Sequence, residues 1–389
     1  MIKKRLSFLK KKLNLLGIDG YVIPKNDEFF SEYSRKDRLK IISNFSGSAG
    51  YAIVLKKKNY LFVDGRYTIQ AKIESGNNFI IKKIEEIINC KLFKNLKLGI
   101  DPKIFTNKEI KNFFLKNNKI KEINFNLIDQ IFNKYPKHTK PFYSLNDEIT
   151  GENYKNKIEK VSKILLRVKA DYLFVSAPEN IAWLLNIRGY DNPNSPLPHC
   201  RLLLKKDKNF FILCEKSKVK NLIKEKKVSN KQIINPNNIN NFFNKIRKGK
   251  FIVDDKTCSI FYNNFLIKKH KILNKGDPIY FLKSMKNKKE IANMVKVHID
   301  DGVALTKFLY WIKKSNKNKI TEIDAQNKLE KLRKKNKKYL FPSFDTIAGT
   351  AGNGAIIHYR AKKEHTKKIN KKIFFYVILE VNINMAQQM

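Results

Sequence analysis

The strongest constraint on the fold is a unit that the sequence writes twice. Leu6, Leu9, Leu13 and Leu16 recur at helical spacing, a break follows at Gly17, and Tyr21-Val22-Ile23-Pro24 reads as a buried strand. About 150 residues later, Ile158, Val161, Ile164 and Leu165 repeat the helical spacing and Asp171-Tyr172-Leu173-Phe174-Val175 repeats the strand. A hairpin follows each. In the first copy it is YAIVL (Tyr51 to Leu55), a KKKN turn and YLFVD (Tyr60 to Asp64); in the second, RLLL, KKDKN and FFILC. A one-faced helix leading into a buried strand needs a sheet to cover it, so the pattern predicts two tandem mixed-sheet α/β domains.

Between the copies, PKHTKPFYSLNDEITG (Pro136 to Gly151) is polar, contains two prolines and reads as a linker. A second boundary falls near NKGDPIYFLKS (Asn274 to Ser284). Helices then take over. Asn287 and Glu290 form a capping-box pattern, and Ile291, Met294, Val295, Ile299, Leu305, Phe308 and Leu309 supply a long apolar face. Thr321 and Asp324 start a second helix, backed by Ala325, Leu329 and Leu332, and a glycine-bearing strand comes next. The expected domains are residues 1–140, 152–274 and 278–389, the last an α+β opening.

Charge narrows the function classes. The net charge of +46 admits a binder of nucleic acid or anionic surfaces. The lysines are spread along the whole chain with asparagine and isoleucine, as AT-rich codons produce. No RNA-binding signature or zinc-ligand spacing accompanies them. No specific nucleic-acid partner is expected. No apolar run approaches the ~20 residues of a membrane helix, and lysines interrupt the apolar stretch of MIKKRLSFLKKKLNLLG, so neither membrane partner nor signal peptide is expected. Cys90, Cys200, Cys214 and Cys258 lack paired spacing and fit reduced thiols in a cytoplasm.

Few residues invite chemistry. Phe45 to Gly50 supplies small residues for a tight turn and lacks a phosphate-loop pattern. Arg66, after Asp64-Gly65, suits a structural ion pair or reaches a neighbouring subunit's site. Trp183 reads as core, while Arg188 and Asp191 suit the lining of a substrate entrance. His298 reads as a core or interface residue and His365 as surface; His138, His199 and His270 match no ligand pattern. His358 stands out, at a strand end after a glycine-rich turn, in FPSFDTIAGTAGNGAIIHYRA (Phe341 to Ala361).

Six segments in order carry a resemblance: DGYVIPKNDEFFSEY (Asp19 to Tyr33), ISNFSGSAGYAIV (Ile42 to Val54), FVDGRYTIQA (Phe62 to Ala71), APENIAWLLNIRGYDNPNSP (Ala177 to Pro196), the helix from Pro278 to Ile312, and the His358 segment. Together they resemble the aminopeptidase P family, pita-bread metallopeptidases that remove an N-terminal residue preceding proline. The resemblance implies two creatinase N-terminal-like domains followed by an incomplete pita-bread domain. It implies a peptide substrate with proline second and a homodimer in the intact form. His358 would face the metals, bind substrate and support the tetrahedral intermediate. Arg66, read from its place after Asp64-Gly65, is the other candidate to bind substrate. The family uses two divalent ions, commonly manganese, on two aspartates, a histidine and two glutamates, the aspartates in a motif like LDSGGQYxxGTTD.

Here the chain reads FFYVILEVNINMAQQM instead, with Glu380 the only carboxylate after Glu364. No metal ligand is expected in this chain, which reads as truncated at the start of its catalytic domain and inactive. Back-translating Tyr376 to Met389 with permitted codons and reading two bases out of register yields CDSGGKYKYGTTD, both aspartates included. A frameshift near Phe374-Phe375 is therefore expected, leaving about 376–389 out of frame and without designed structure. The alternative is a non-catalytic peptide- or partner-binding pseudoenzyme. A nucleic-acid binder is weaker, and a creatine or proline-dipeptide hydrolase is the in-family rival.

Overall fold

The computed structural model describes residues 1–389 apart from 32–33, 89–93, 115–117, 133–134, 136–139, 316–318, 371–374, 379–380, 384–385 and 388–389. Cys90, His138 and Glu380 lie outside the described residues. Contacts divide the chain into two compact units. One comprises Met1–Ser144, Tyr154–Pro193 and Leu197–Ser284; the other comprises Leu145–Asn153, Asn194–Pro196 and Met285–Met389.

The first unit holds two lobes of one topology. In lobe one, β1 (Gly20–Pro24), β2 (Gly50–Leu55), β3 (Asn59–Val63), β4 (Ile80–Lys83), β5 (Lys97–Ile100) and β6 (Lys119–Glu122) are ordered β4-β3-β2-β1-β5-β6. The β1–β2–β3 run is antiparallel, and β4, β5 and β6 join it in parallel. Two short strands, β7 (Tyr143–Ser144) and β9 (Ile187–Arg188), pair with each other. In lobe two, β8 (Tyr172–Val175), β10 (Arg201–Lys205), β11 (Phe210–Leu213), β12 (Ile233–Ile234), β13 (Lys250–Val253) and β14 (Lys271–Asn274) are ordered β12-β11-β10-β8-β13-β14. The same strands are antiparallel and the same ones parallel. The doubled unit in the sequence is a doubled sheet.

The leading helices bury most of the residues that their spacing singled out: Leu6, Leu9 and Leu13 on Ile2–Leu15, and Ile158, Val161 and Leu165 on Tyr154–Arg167, with Leu16 and Ile164 half-buried. A carboxylate fixes each central strand. Asp19 donates its N–H to Lys97 O and accepts the Lys97 N–H on Oδ2 (2.8 and 2.9 Å). Asp171 does the same with Lys250 (2.9 Å for each bond). The lobes are joined by backbone bonds, Ile260 N–H to Phe105 O and Phe261 N–H to Pro102 O, both 2.9 Å. Arg201 also joins them, with its guanidinium 4.4 Å from the Phe29 ring and 4.2 Å from the Tyr262 ring. One ion network is buried in lobe one. Arg38, wholly enclosed, holds Glu28 at 2.7 Å and Asp129 at 2.8 Å. Burial raises the Glu28 pKa, but Arg38 and Lys36 outweigh it and hold the carboxyl at about 2.

In the second unit, the helices Lys288–Lys314 and Glu322–Arg333 carry the capping boxes expected at Asn287/Glu290 and Thr321/Asp324. The apolar face expected on the longer helix is buried only in part. Phe308 is enclosed and Leu305 packs beside it, whereas Ile291, Val295, Ile299 and Leu309 are exposed and Asn293, Val297 and Ala304 are buried instead. The helix carries apolar residues on more than one face, so spacing alone did not select the side that packs. His298, expected in a core or interface, is exposed, its Nδ1 2.8 Å from Met294 O. Strands β15 (Tyr339–Pro342), β16 (Ile347–Thr350), β17 (Phe375–Ile378), β18 (Val381–Ile383) and β19 (Ala386–Gln387) form two small sheets, β15-β18-β19 and β16-β17. The tail expected to lack designed structure therefore supplies strands. Its Tyr, Val and Ile favour extended, half-buried backbone whatever frame encoded them.

Candidate functional site

His358 lies in the second unit, in the segment that leaves β16. All of Ile347–Thr350 is buried, and β16 pairs with β17. The sequence AGNGA then winds into a short 3-10 helix, Ala351–Ala355. Gly349 fits there because a Cβ would lie 3.2 Å from both Asn353 O and Gly354 Cα. His358 follows in a turn, not at a strand end: the 3-10 turn uses up the length that a strand over Ile356-Ile357 would need. Its side chain is exposed and its φ is +55°, a left-handed conformation rare outside glycine. Ala351, at φ +52°, opens the segment in the same region.

A buried carboxylate organises this segment. Glu322, wholly enclosed, accepts the Thr350 N–H (2.8 Å) and the Asn353 amide (3.2 Å) on Oε1. Its Oε2 accepts the Tyr359 hydroxyl (3.1 Å) and the Lys367 N–H (3.0 Å). Asn353 Nδ2 also donates to Tyr359 Oη at 2.8 Å. Desolvation, reinforced by the Glu322 charge, pushes the Tyr359 phenol up to about 12. The sequence reading passed over Glu322, Asn353 and Tyr359. The available signal was position: Glu322 opens a helix already capped by Thr321, and Tyr359 directly follows His358.

The other singled-out residues are engaged elsewhere. Arg66 belongs to the first unit and grips Asp64 through Nε at 2.8 Å and Nη2 at 3.1 Å, with Tyr67 5.8 Å away. Asp191 is buried and accepts the His199 N–H at 2.9 Å and the Lys218 ammonium. Arg188 donates to Ala182 O and Ile187 O. His199 stacks on Phe29 at 4.4 Å, and burial lowers its pKa. Half-buried Trp183 carries the Lys157 ammonium 4.3 Å over its ring. Cys200, Cys214 and Cys258 are free and buried, and desolvation raises the thiols of Cys214 and Cys258 to about 12.

Comparison with known proteins places these features. Residues 5–124 match the Creatinase/Prolidase N-terminal domain, residues 133–290 match a second model of the same description, and residues 292–383 match Metallopeptidase family M24. Xaa-Pro aminopeptidase 1 of Dictyostelium discoideum is 30% identical over 406 residues, spanning 96% of this chain and 64% of that protein. The chain is similar to Xaa-Pro aminopeptidases along nearly its whole length. Xaa-Pro aminopeptidase ApepP of Drosophila melanogaster is 31% identical over 379 residues, 92% of this chain and 62% of that protein. The chain thus spans less than two thirds of these relatives. Its fold matches the crystal structure of X-prolyl aminopeptidase from Caenorhabditis elegans, described as a cytosolic enzyme with a di-nuclear active site. The TM-score is 0.88 at 23% identity, over 99% of this chain and 68% of that one.

A di-nuclear centre needs a cluster of carboxylate and imidazole donors. Among the described residues, no three His, Cys, Asp or Glu side chains gather closely enough to hold a metal ion. The described residues do not fit a metal pair. Among them, too, no helix is long and apolar enough to cross a membrane.

Proposed function

We propose that this chain belongs to a metal-dependent Xaa-Pro aminopeptidase, whose complete form hydrolyses the bond between an N-terminal residue and proline, and that the chain alone does not cleave it. The reading is carried by the order of the family regions, closing with the metallopeptidase region that holds His358. Proline selectivity suits a dedicated pocket, because the imide nitrogen carries no proton and the ring fixes φ. The exposed His358 imidazole can donate a ring N–H to the scissile carbonyl oxygen as negative charge develops there. Arg66, held by Asp64, is the second residue proposed to bind substrate. We assign the two divalent ions, as manganese, to the complete protein and none to this chain. The unpaired state of the described cysteines supports a cytoplasmic setting, and the intact form is proposed as a homodimer.

The test is incubation of the purified chain with Ala-Pro-Ala and manganese. No free alanine is expected. Alanine release that His358→Ala abolishes would overturn the inactivity. The proposed frameshift has its own test, the gene's nucleotides through codons 365 to 389. A base gained or lost there, opening a frame through GTTD, supports it; an intact present frame removes it and leaves β17 and β18 as native strands.

A further inference from the structure

We propose that Glu322 is the positioning residue for His358: its buried carboxylate fixes the segment from Thr350 to Tyr359 in the geometry that presents the imidazole outward. The inference rests on the reading of His358 as the substrate-facing residue.

The Glu322 carboxylate is tied at four separate points. It holds the segment at its start (Thr350 N–H), in its middle (the Asn353 amide), beside the histidine (the Tyr359 hydroxyl) and beyond its end (the Lys367 N–H). Glu322 is wholly enclosed, so without its carboxylate the Thr350 N–H would lose this acceptor away from water, while the Asn353 amide and the Tyr359 hydroxyl would keep only each other and His365 O. Hydrogen bonds to an ionised carboxylate are the strong ones, and here they converge from separate points of one loop.

A plain capping role does not explain the residue. Thr321 and Asp324 already close the helix start reciprocally. Glu322 adds nothing to that box and turns its side chain to the loop instead. The backbone of His358 supplies the second observation. Its left-handed φ of +55° persists only where neighbours over-determine it. One such neighbour is Tyr359, whose hydroxyl lies against Glu322, the Asn353 amide and His365 O (3.2 Å). Releasing Tyr359 lets residue 358 relax to negative φ and re-aims the imidazole.

The experiment compares Glu322→Gln and Tyr359→Phe with the parent chain. Glutamine keeps the size but offers one acceptor oxygen, and its NH2 group meets donors. Phenylalanine removes the hydroxyl beside the histidine, with its contacts to Glu322, the Asn353 amide and His365 O, and leaves the other Glu322 bonds in place. Two readouts are followed: the His358 imidazole signal in histidine-labelled protein, assigned through His358→Ala, and amide exchange at Thr350 and Lys367. Glu322→Gln is expected to speed exchange at both amides about tenfold, and both variants are expected to move the His358 signal. If Glu322→Gln unfolds the second unit, Tyr359→Phe carries the test alone. An unmoved His358 signal in Tyr359→Phe overturns the proposal, because Glu322 would then support the fold without aiming the histidine. Titrating the parent chain with Ala-Pro-Ala separates the two readings. An imidazole that Glu322 fixes but the peptide does not perturb keeps the positioning and removes the substrate role.

Discussion

Asp277 shows how a single enclosed carboxyl sets a pH response. Its Oδ2 accepts the Asn180 amide at 2.8 Å and its Oδ1 the Ile279 N–H at 2.9 Å. Desolvation still dominates and raises the carboxyl to about 6. A carboxyl that holds its proton more tightly when folded contributes stability that is full below its unfolded value of 3.8 and is lost as pH rises through about 6. Asp277→Asn cannot ionise. Its new NH2 also gains an acceptor, because Asn180 Oδ1 has no partner among the described residues and a carboxamide flip would present it. The variant should therefore gain stability on the parent from pH 4 to 6, by up to about 1.4 kcal/mol per pH unit. Urea midpoints at pH 4, 5 and 6 check this, and a difference independent of pH would refute it. His270 works in the opposite direction. It is buried against Phe251, and desolvation followed by the nearby Lys269 charge lowers its pKa. Its contribution is present above its unfolded pKa and fades as pH falls. His270→Phe should stabilise the chain more at pH 5 than at pH 7, readable by thermal unfolding at the two pH values.

Helix ends and strand order are where sequence and structure meet most closely. The Asn287 cap accepts the Glu290 N–H at 2.9 Å, and its amide also donates to Thr150 O at 2.9 Å. Asn287→Ala should lose the cap and that tie together, costing about 1–2 kcal/mol in a urea titration; a loss below a few tenths would show the cap to be idle. Such boxes are legible because both partners lie within one turn. The duplicated sheets were legible for a similar reason: period-two and period-3.6 patterns are local, and they recurred in the same order. What was not legible is long-range. The donors that converge on Glu322 lie at Thr350, Asn353, Tyr359 and Lys367, and no spacing rule connects them to a helix start. The buried face of Lys288–Lys314 was visible only at Phe308 and Leu305, because the choice among its apolar faces is made by what packs there. His358 was visible as a candidate from its neighbours, but its left-handed turn depends on a 3-10 helix that a glycine-rich stretch does not announce.

At the scale of the whole molecule, a net charge of +46 makes the compact state repel itself. Salt should relieve this, so thermal stability should rise by several degrees between about 10 mM and 150 mM ionic strength, where the screening length shrinks from about 30 to 8 Å. An unchanged midpoint would mean that local ion pairs already neutralise the field. The doubled lobe has a consequence of another kind. Asp19 and Asp171 make one arrangement in two places on a single polypeptide, so cutting each in turn is a controlled comparison under identical solvent, temperature and concentration. Whatever differs between Asp19→Ala and Asp171→Ala cannot come from the bond itself. It measures how far two copies of one design have drifted apart in the company they keep.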